Sequence, residues 1–322
     1  MNTMRHRQRV SRTDVWAILS AFLLLFVGAA ALTACGGSSR TASSSPSATI
    51  TSPSPSPSIV PAAEPISKWD APGSASLAQT QAVARRYAAA LHAETIPEAG
   101  LYTAASTWDY WPTDAHAQGA KEIEGIYRDA GAYLDWSKWG HLLFAPGVGV
   151  SEGMNTAYGT SSTPGLVLLA VDGNKVAHEE IFLNEGDSGP VTFYGSAPGP
   201  KDTAKVAAAV GAAVGDAFAT GDLAALKALV APDVLFRDTA QPHGGRGWDA
   251  VLAWWGMVPT VTLENKKPIA GPGWAVGRWT IRQVFSTGVE LALPGATVME
   301  VRNGKVVRMT IYYNSSVMRL QT

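Results

Sequence analysis

One motif stands twice in this chain, so a single local fold must serve two stretches. Val171-Asp172-Gly173-Asn174-Lys175-Val176 precedes Ile181-Phe182-Leu183-Asn184, and Val301-Arg302-Asn303-Gly304-Lys305-Val306 precedes Ile311-Tyr312-Tyr313-Asn314, at a constant offset of 130 residues (176 to 306, 184 to 314). Gly119-Ala120-Lys121-Glu122-Ile123 aligns with Gly247-Trp248-Asp249-Ala250-Val251 at an offset of 128 (119 to 247). A loop change between duplicated units produces such a small difference. The period is far longer than that of solenoid repeats, so the pattern reads as domain duplication. Residues 73–186 and 203–322 are expected to be two domains, the first more divergent. A linker at 187–202 joins them and contains Gly195-Ser196-Ala197-Pro198-Gly199-Pro200.

The second copy is the easier to read. Val206, Val210, Val214, Ala217 and Phe218 recur at helical spacing. Thr220-Gly221 stops that helix, and Asp222 can cap the next through its side-chain oxygen. Leu223, Leu226, Leu229 and Val230 give the second helix its apolar face, and Pro232 ends it. Val234-Leu235-Phe236-Arg237-Asp238 reads as a short strand, 241–246 as a loop, and Gly247 leads into a third helix carrying Val251, Leu252, Trp254 and Trp255. After Pro259 the pattern turns to strands at 260–263, 274–286, 289–293, 297–302 and 306–313, with Asn303-Gly304 as a hairpin turn that needs positive φ. The fold class is α+β: in each copy, three helices packed on one face of a curved antiparallel sheet.

Residues 1–72 differ in kind. Arg5, Arg7, Arg9 and Arg12 precede an almost wholly apolar run at 15–31, which ends in Leu32-Thr33-Ala34-Cys35. That ending resembles the lipobox of bacterial lipoproteins. The resemblance implies that 1–34 is a removable signal. It also implies that Cys35 becomes the first mature residue, bearing diacylglycerol and fatty acyl chains such as palmitate. An uncleaved transmembrane anchor is the alternative, since the run is about long enough to span a bilayer. Either way the positive N-terminus stays inside and the rest is exported, to the outer face of the bacterial cytoplasmic membrane in the cell envelope. Residues 35–72 are rich in Ser, Pro, Thr and Ala around Ser52-Pro53-Ser54-Pro55-Ser56-Pro57. Such a segment buries too little apolar surface to fold and serves as a disordered, semi-rigid tether. Over the whole chain, 46% apolar residues allow a real core. One cysteine excludes an internal disulfide, and a net charge of -1 with no basic block in the folded part argues against a nucleic-acid partner.

The helix–strand order, together with Gly221-Asp222, Leu229-Val230-Ala231-Pro232-Asp233-Val234-Leu235-Phe236-Arg237-Asp238, Gly247, Val251 and the stretch from Asn303 to Tyr313, resembles the cystatin-like family of nuclear transport factor 2, SnoaL polyketide cyclase and ketosteroid isomerase. The first copy is similar more weakly, through Arg86-Tyr87-Ala88-Ala89-Ala90-Leu91, residues 119–123 and residues 174–184. The resemblance implies a cone-shaped apolar pocket between helices and sheet, used in the family for catalysis, binding or dimerisation. The fold therefore does not choose the function.

Ketosteroid-isomerase-like chemistry needs a carboxylate to move a proton and two acids to hold the enolate oxygen. Asp238 falls on the carboxylate position. The family's tyrosine position falls near Val214 and its second aspartate near Thr297 or Val298, so the second copy lacks two of the three parts. In the first copy Tyr87 falls on the tyrosine position, while Tyr110 or Trp111 takes the carboxylate position with Asp109 beside it. Asp238, Tyr87 and Asp109 are thus the candidate acid/base or polar pocket groups. For Asp238 a strand-end residue capping the following loop is the competing account. Candidate pocket-lining residues are Phe236, Trp254, Trp255, Arg278, Trp279, Tyr312, Trp108 and Tyr110, with His243 and Arg282 as further polar groups near Asp238. Core packing is the plainer account of the tryptophans. His92, His116, His141 and His178 are scattered with no ligand spacing on one element, so no metal and no cofactor is expected. His178-Glu179-Glu180 reads as a strand with alternating faces rather than a site.

Three functions follow as expectations. The first is a lipid-anchored surface protein, membrane-bound through Cys35, whose SnoaL-like domains bind an apolar small molecule without catalysis. The second is a cyclase or isomerase using Asp238 as acid/base. The third is an interaction module of the envelope, in which the two copies pack as an intrachain pseudo-dimer.

Overall fold

The computed structural model describes residues 72–111, 115–130, 136–155, 163–184, 196–240, 244–256, 262–284 and 290–314. Residues 1–71, with the expected signal, Cys35 and nearly all of the expected tether, and His243 lie outside these residues. Among them no helix is long and apolar enough to cross a membrane.

The first half opens with α1 (Leu77–His92), whose N-terminus is closed by a capping box: the Ser76 hydroxyl accepts from the Gln79 amide and the Gln79 side chain accepts from the Ser76 amide. A single 3₁₀ turn (Ile96–Glu98) and α2 (Ala120–Ala130) follow in the helical layer. The strands are β1 (Thr107–Tyr110), β2 (Ala115–Gln118), β3 (Trp136–Ala145), β4 (Val148–Asn155), β5 (Thr163–Asp172) and β6 (Lys175–Leu183), in the spatial order β2-β1-β6-β5-β4-β3. The expected second helix is absent from this half. Glu94 takes a positive φ after α1, and Pro97 sits in the first turn that follows, so the segment closes as 3₁₀ rather than extending.

The second half repeats this plan. Three helices, α3 (Ala204–Thr220), α4 (Leu223–Leu229) and α5 (Trp248–Trp255), accompany β7 (Val230–Asp238), β8 (Gly244–Arg246), β9 (Thr262–Asn265), β10 (Ile269–Gly271), β11 (Trp274–Val284), β12 (Glu290–Arg302) and β13 (Lys305–Tyr313). Their order is β10-β11-β12-β13-β7-β8, with β9 also paired to β11. In both halves the last strand pairs in parallel with the strand that follows the first helices, β6 with β1 and β13 with β7. The 130-residue offset of the sequence recurs in the backbone: β6 spans 175–183 and β13 spans 305–313, and the ladder irregularities fall at Ala170/Val171 and Glu300/Val301. Two mixed sheets and five α-helices among the described residues fit a two-domain α+β arrangement.

Local chemistry explains the boundaries. Gly221 caps α3 at φ 69°, a conformation that costs glycine nothing, and Asp222 Oδ1 accepts from the Ala225 amide to start α4. Pro232 lies inside β7 rather than at a helix end. Val230 pairs with Val306 and Leu235 with Arg308, so the residues between them bulge out where proline has no N–H to give. Strand β12 runs unbroken through Pro294 where two strands were expected. Gly295 is required there, because a Cβ would sit 2.2 Å from the Trp279 ring that lies across the strand.

Each sheet buries one face against its own helices. The other two faces share a third apolar cluster, with Trp111, Val148, Val150, Leu166, Leu168 and Phe182 from the first sheet against Trp274, Val276, Val298 and Tyr312 from the second. Within this layer the Arg308 guanidinium meets Glu152 at 2.7 Å and Glu300 at 3.0 Å, and the Tyr312 hydroxyl donates to Glu152 at 2.7 Å. Burial works to raise the Glu152 carboxyl, but Arg308, His141 and Tyr312 outweigh it and hold it down to about 2.

Candidate ligand cavity

A cavity of about 300 Å³ opens beneath the second sheet. Helix α3 contributes Gly211, Val214, Gly215 and Phe218, helix α5 contributes Trp254 and Trp255, and the sheet contributes Gly277, Trp279, Thr297, Met299 and Ile311. The two helix glycines sit one turn apart and let α3 approach the sheet closely: a Cβ on Gly211 would lie 2.9 Å from the Ala275 Cβ, and one on Gly215 3.3 Å from the Asn265 amide. Phe218 meets Trp254 edge-on at 5.8 Å and Trp255 at 5.3 Å, forming an aromatic wall. The polar atoms of the wall are turned to protein partners: Trp279 Nε1 donates to Thr297 Oγ1 at 2.9 Å, and Asn265 Nδ2 donates to the Gly215 carbonyl at 2.6 Å. The lining residues include no carboxylate. Such a surface suits an apolar or flat aromatic guest.

Asp238 lies behind this wall, fully buried and outside the lining. Its Oδ1 accepts from the Ala240 amide at 2.8 Å, and its Oδ2 accepts from Trp254 Nε1 at 2.7 Å and from the Tyr313 hydroxyl at 2.9 Å. Loop capping and contact with a pocket aromatic therefore both describe it. Of the residues expected to line the pocket, Trp254, Trp255 and Trp279 do so. Phe236 is buried against Trp254 at 5.8 Å, outside the lining. Arg278 and Tyr312 are corrected outright: strand alternation turns them to the opposite face, where Arg278 Nη1 reaches Glu180 at 3.3 Å and Tyr312 meets Glu152. Arg282 is at the sheet's outer part, paired with Glu264 at 2.7 Å.

In the first half the corresponding space is occupied by side chains. Glu179 on β6 is fully buried among three phenols: Tyr87 donates to Oε1 at 2.6 Å, Tyr127 to Oε1 at 2.5 Å and Tyr102 to Oε2 at 2.5 Å. Trp108 Nε1 donates to the Tyr127 oxygen at 3.4 Å, and Trp108 stacks on Tyr110 at 5.6 Å, so both belong to this core and not to the cavity. Burial pushes Glu179 above the usual carboxylate range despite the three phenol hydrogen bonds. Burial and the Glu179 charge push Tyr87, Tyr102 and Tyr127 well above theirs. Sequence reading found Tyr87 but set Glu179 aside, because strand alternation in His178-Glu179-Glu180 gives no hint that each face is buried.

The parallel ladders decide between Tyr110 and Trp111. Tyr110 pairs with Ile181 and Asp238 with Ile311, partners that stand 130 residues apart, so Tyr110 is the counterpart of Asp238. Asp109 points to the opposite face, where its Oδ1 meets His116 Nδ1 at 2.7 Å and its Oδ2 meets His178 Nε2 at 3.3 Å. Glu180 joins them, and these three residues can each offer a ligand atom to one ion. Histidine spacing missed this group because its members come from two strands.

Residues 211–309 match the profile of the SnoaL-like domain family, so the second half contains one SnoaL-like domain. No curated protein matches the chain. Solved structures of nuclear transport factor 2-like proteins are similar to about a third of it. An NTF2-like protein of unknown function from Burkholderia pseudomallei K96243 is 26% identical over 36% of this chain and 98% of its own, with a TM-score of 0.32. A candidate polyketide cyclase from Xanthomonas campestris pv. campestris is 23% identical over 37% and 97%, with a TM-score of 0.33. TerC co-crystallised with polyporic acid is 18% identical over 36% and 96%, with a TM-score of 0.32.

Proposed function

We propose that this chain is a lipid-anchored protein of the bacterial cell envelope, built of two SnoaL-like domains in tandem, whose second domain binds an apolar small molecule. The cavity carries the reading. Its volume of about 300 Å³ lies at the low end of small-molecule sites, roughly 300–1,000 Å³. Three tryptophans and a phenylalanine line it, and the Trp254 and Trp279 indole N–H groups are already partnered. The first domain acts as a filled partner, packed through the apolar layer between the sheets as an intrachain pseudo-dimer. Cys35 and the Ser/Pro tether hold the pair outside the membrane.

A proton-transfer enzyme centred on Asp238 is disfavoured by the Trp254 indole that stands between its carboxylate and the cavity. Titrating the chain with a panel of fatty acids and planar polyketides while recording tryptophan fluorescence and thermal stability tests the reading. Saturable quenching and a raised Tm, both reduced in Trp255→Ala, are expected. A panel without any saturable binder, or binding indifferent to Trp255→Ala, overturns it. The anchor is tested separately by mass spectrometry of the mature N-terminus, which should carry the lipid in the native chain and lack it in Cys35→Ser.

A further inference from the structure

We propose a divalent transition-metal site at Asp109, His178 and Glu180, on the face of the first sheet that packs against the second. Register builds it. Asp109 on β1 pairs with Glu180 on β6 in the parallel ladder, and His178 stands two residues before Glu180, so all three side chains leave one face of two adjacent strands. All three are buried. His178 Nε2 lies 3.3 Å from Asp109 Oδ2 and 3.8 Å from Glu180 Oε1, and the three ligand atoms fall within 4.8 Å of one another. A tetrahedral zinc with bonds of about 2.0–2.2 Å holds neighbouring ligand atoms roughly 3.3–3.6 Å apart. The two distances from His178 lie at or near that spacing.

His178 and Asp109 each have a partner holding the ligand from behind, the pattern that orients metal ligands. Thr107 Oγ1 lies 2.5 Å from His178 Nδ1, which leaves Nε2 directed at the carboxylates. His116 Nδ1 lies 2.7 Å from Asp109 Oδ1, the oxygen turned away from His178. Arg278 Nη1 straddles both Glu180 oxygens from the second sheet, Oε2 at 3.3 Å and Oε1 at 3.4 Å, so an ion would share Oε1 with the guanidinium. The His116 side chain is half exposed, and this gives an ion a way in past Asp109. One imidazole and two carboxylates with no thiol select a borderline ion such as zinc over magnesium or calcium, which take oxygen alone. The Arg278 charge tempers the affinity, so binding is expected to be micromolar rather than picomolar. A bound ion would tie the β1 edge of the first sheet to β6 beneath the second sheet.

The test is zinc titration of the purified full chain after chelator treatment, read by calorimetry and by competition with a chromophoric chelator. Cobalt supplies a spectroscopic arm. One equivalent is expected, with affinity at least tenfold weaker in Asp109→Asn and in His178→Ala, retained in His92→Ala, and retained in Cys35→Ser, which removes the competing thiol. Tetrahedral cobalt absorption is expected from the unsubstituted chain, so the test does not depend on whether the buried variants fold. Absence of that absorption, binding in Asp109→Asn and His178→Ala as tight as in the unsubstituted chain, or binding lost only in Cys35→Ser overturns the site.

Discussion

The Trp254 indole donates to Asp238 Oδ2 at 2.7 Å, so one face of the ligand cavity is held in place by a carboxylate that does not reach it. Asp238 also accepts from Tyr313 and from the Ala240 amide. Asp238→Ala would leave three buried donors without an acceptor. A loss of about 2–4 kcal/mol is expected, at roughly 1–3 kcal/mol for a buried polar group left unmade. Asp238→Asn keeps one acceptor oxygen and should lose less. Urea denaturation of both variants checks the order. Equal stability of Asp238→Ala and the parent chain would contradict the positioning role.

Acid should loosen the layer between the sheets through Glu152. Its carboxyl is held at about 2 in the folded chain against an ordinary value of 4.5. A depressed carboxylate contributes stability that is fully present above the unfolded pKa and is lost as pH falls through the folded one. The window is therefore pH 4.5 down to about 2, and the contribution is about 3 kcal/mol. Glu152→Gln should flatten the stability profile in that window. At neutral pH it should cost about 1–3 kcal/mol, because Arg308 loses its nearest carboxylate but keeps Glu300 at 3.0 Å. Chemical denaturation across the pH range measures both.

Much of this architecture is legible along the chain because the signals are local. The Asn303-Gly304 turn, the Gly221 stop and the Asp222 cap are each set by the chemistry of one or two residues. The constant offset of 130 reappears in strand ends and ladder irregularities. The site is less legible. Alternation along β11 and β13 is visible, but its phase is not: Trp279 faces the cavity while Arg278 and Tyr312 face the other sheet, and only packing decides which. The tyrosines around Glu179 come from α1, α2 and the segment before β1, so no spacing within one element announces them. Asp109, His178 and Glu180 meet through a parallel ladder whose register the sequence does not print.

Glu179 should give a pH dependence opposite in sign to that of Glu152. Its folded pKa is raised, so its contribution is fully present below the unfolded value and is lost as pH rises through the folded one. Glu179→Gln cannot ionise. Relative to the parent chain it should become progressively more favourable between acid and neutral pH. Stability of the two chains measured side by side at several pH values tests this, and a difference that stays constant would show that burial of the charge is not what governs the cluster.

Filling the cavity separates its binding role from stability. Val214 on α3 lines it, buried within the second core. Val214→Phe adds volume toward empty space instead of into packed atoms, so it should avoid most of the ~1–3 kcal/mol usual for overpacking. Ligand-induced thermal shifts should vanish while urea stability changes little. If Val214→Phe binds the same ligands as the parent chain, the guest sits elsewhere.

Separating the two halves should expose what the layer between the sheets conceals. Residues 196–314 alone would present Ile269, Trp274, Val276, Val298 and Tyr312, together with Arg308 without its Glu152 partner, on one open sheet face. A contiguous apolar face of that kind drives association. Arg308 keeps Glu300 at 3.0 Å within the same half, but the face stays largely apolar. The half-chain is therefore expected to be aggregation-prone or insoluble by itself. Co-expression with residues 72–184 should rescue it as a one-to-one complex. Light scattering of the separate and co-expressed halves, beside the full chain, decides the matter. A soluble, monomeric and ligand-binding 196–314 would show that the layer between the sheets is dispensable.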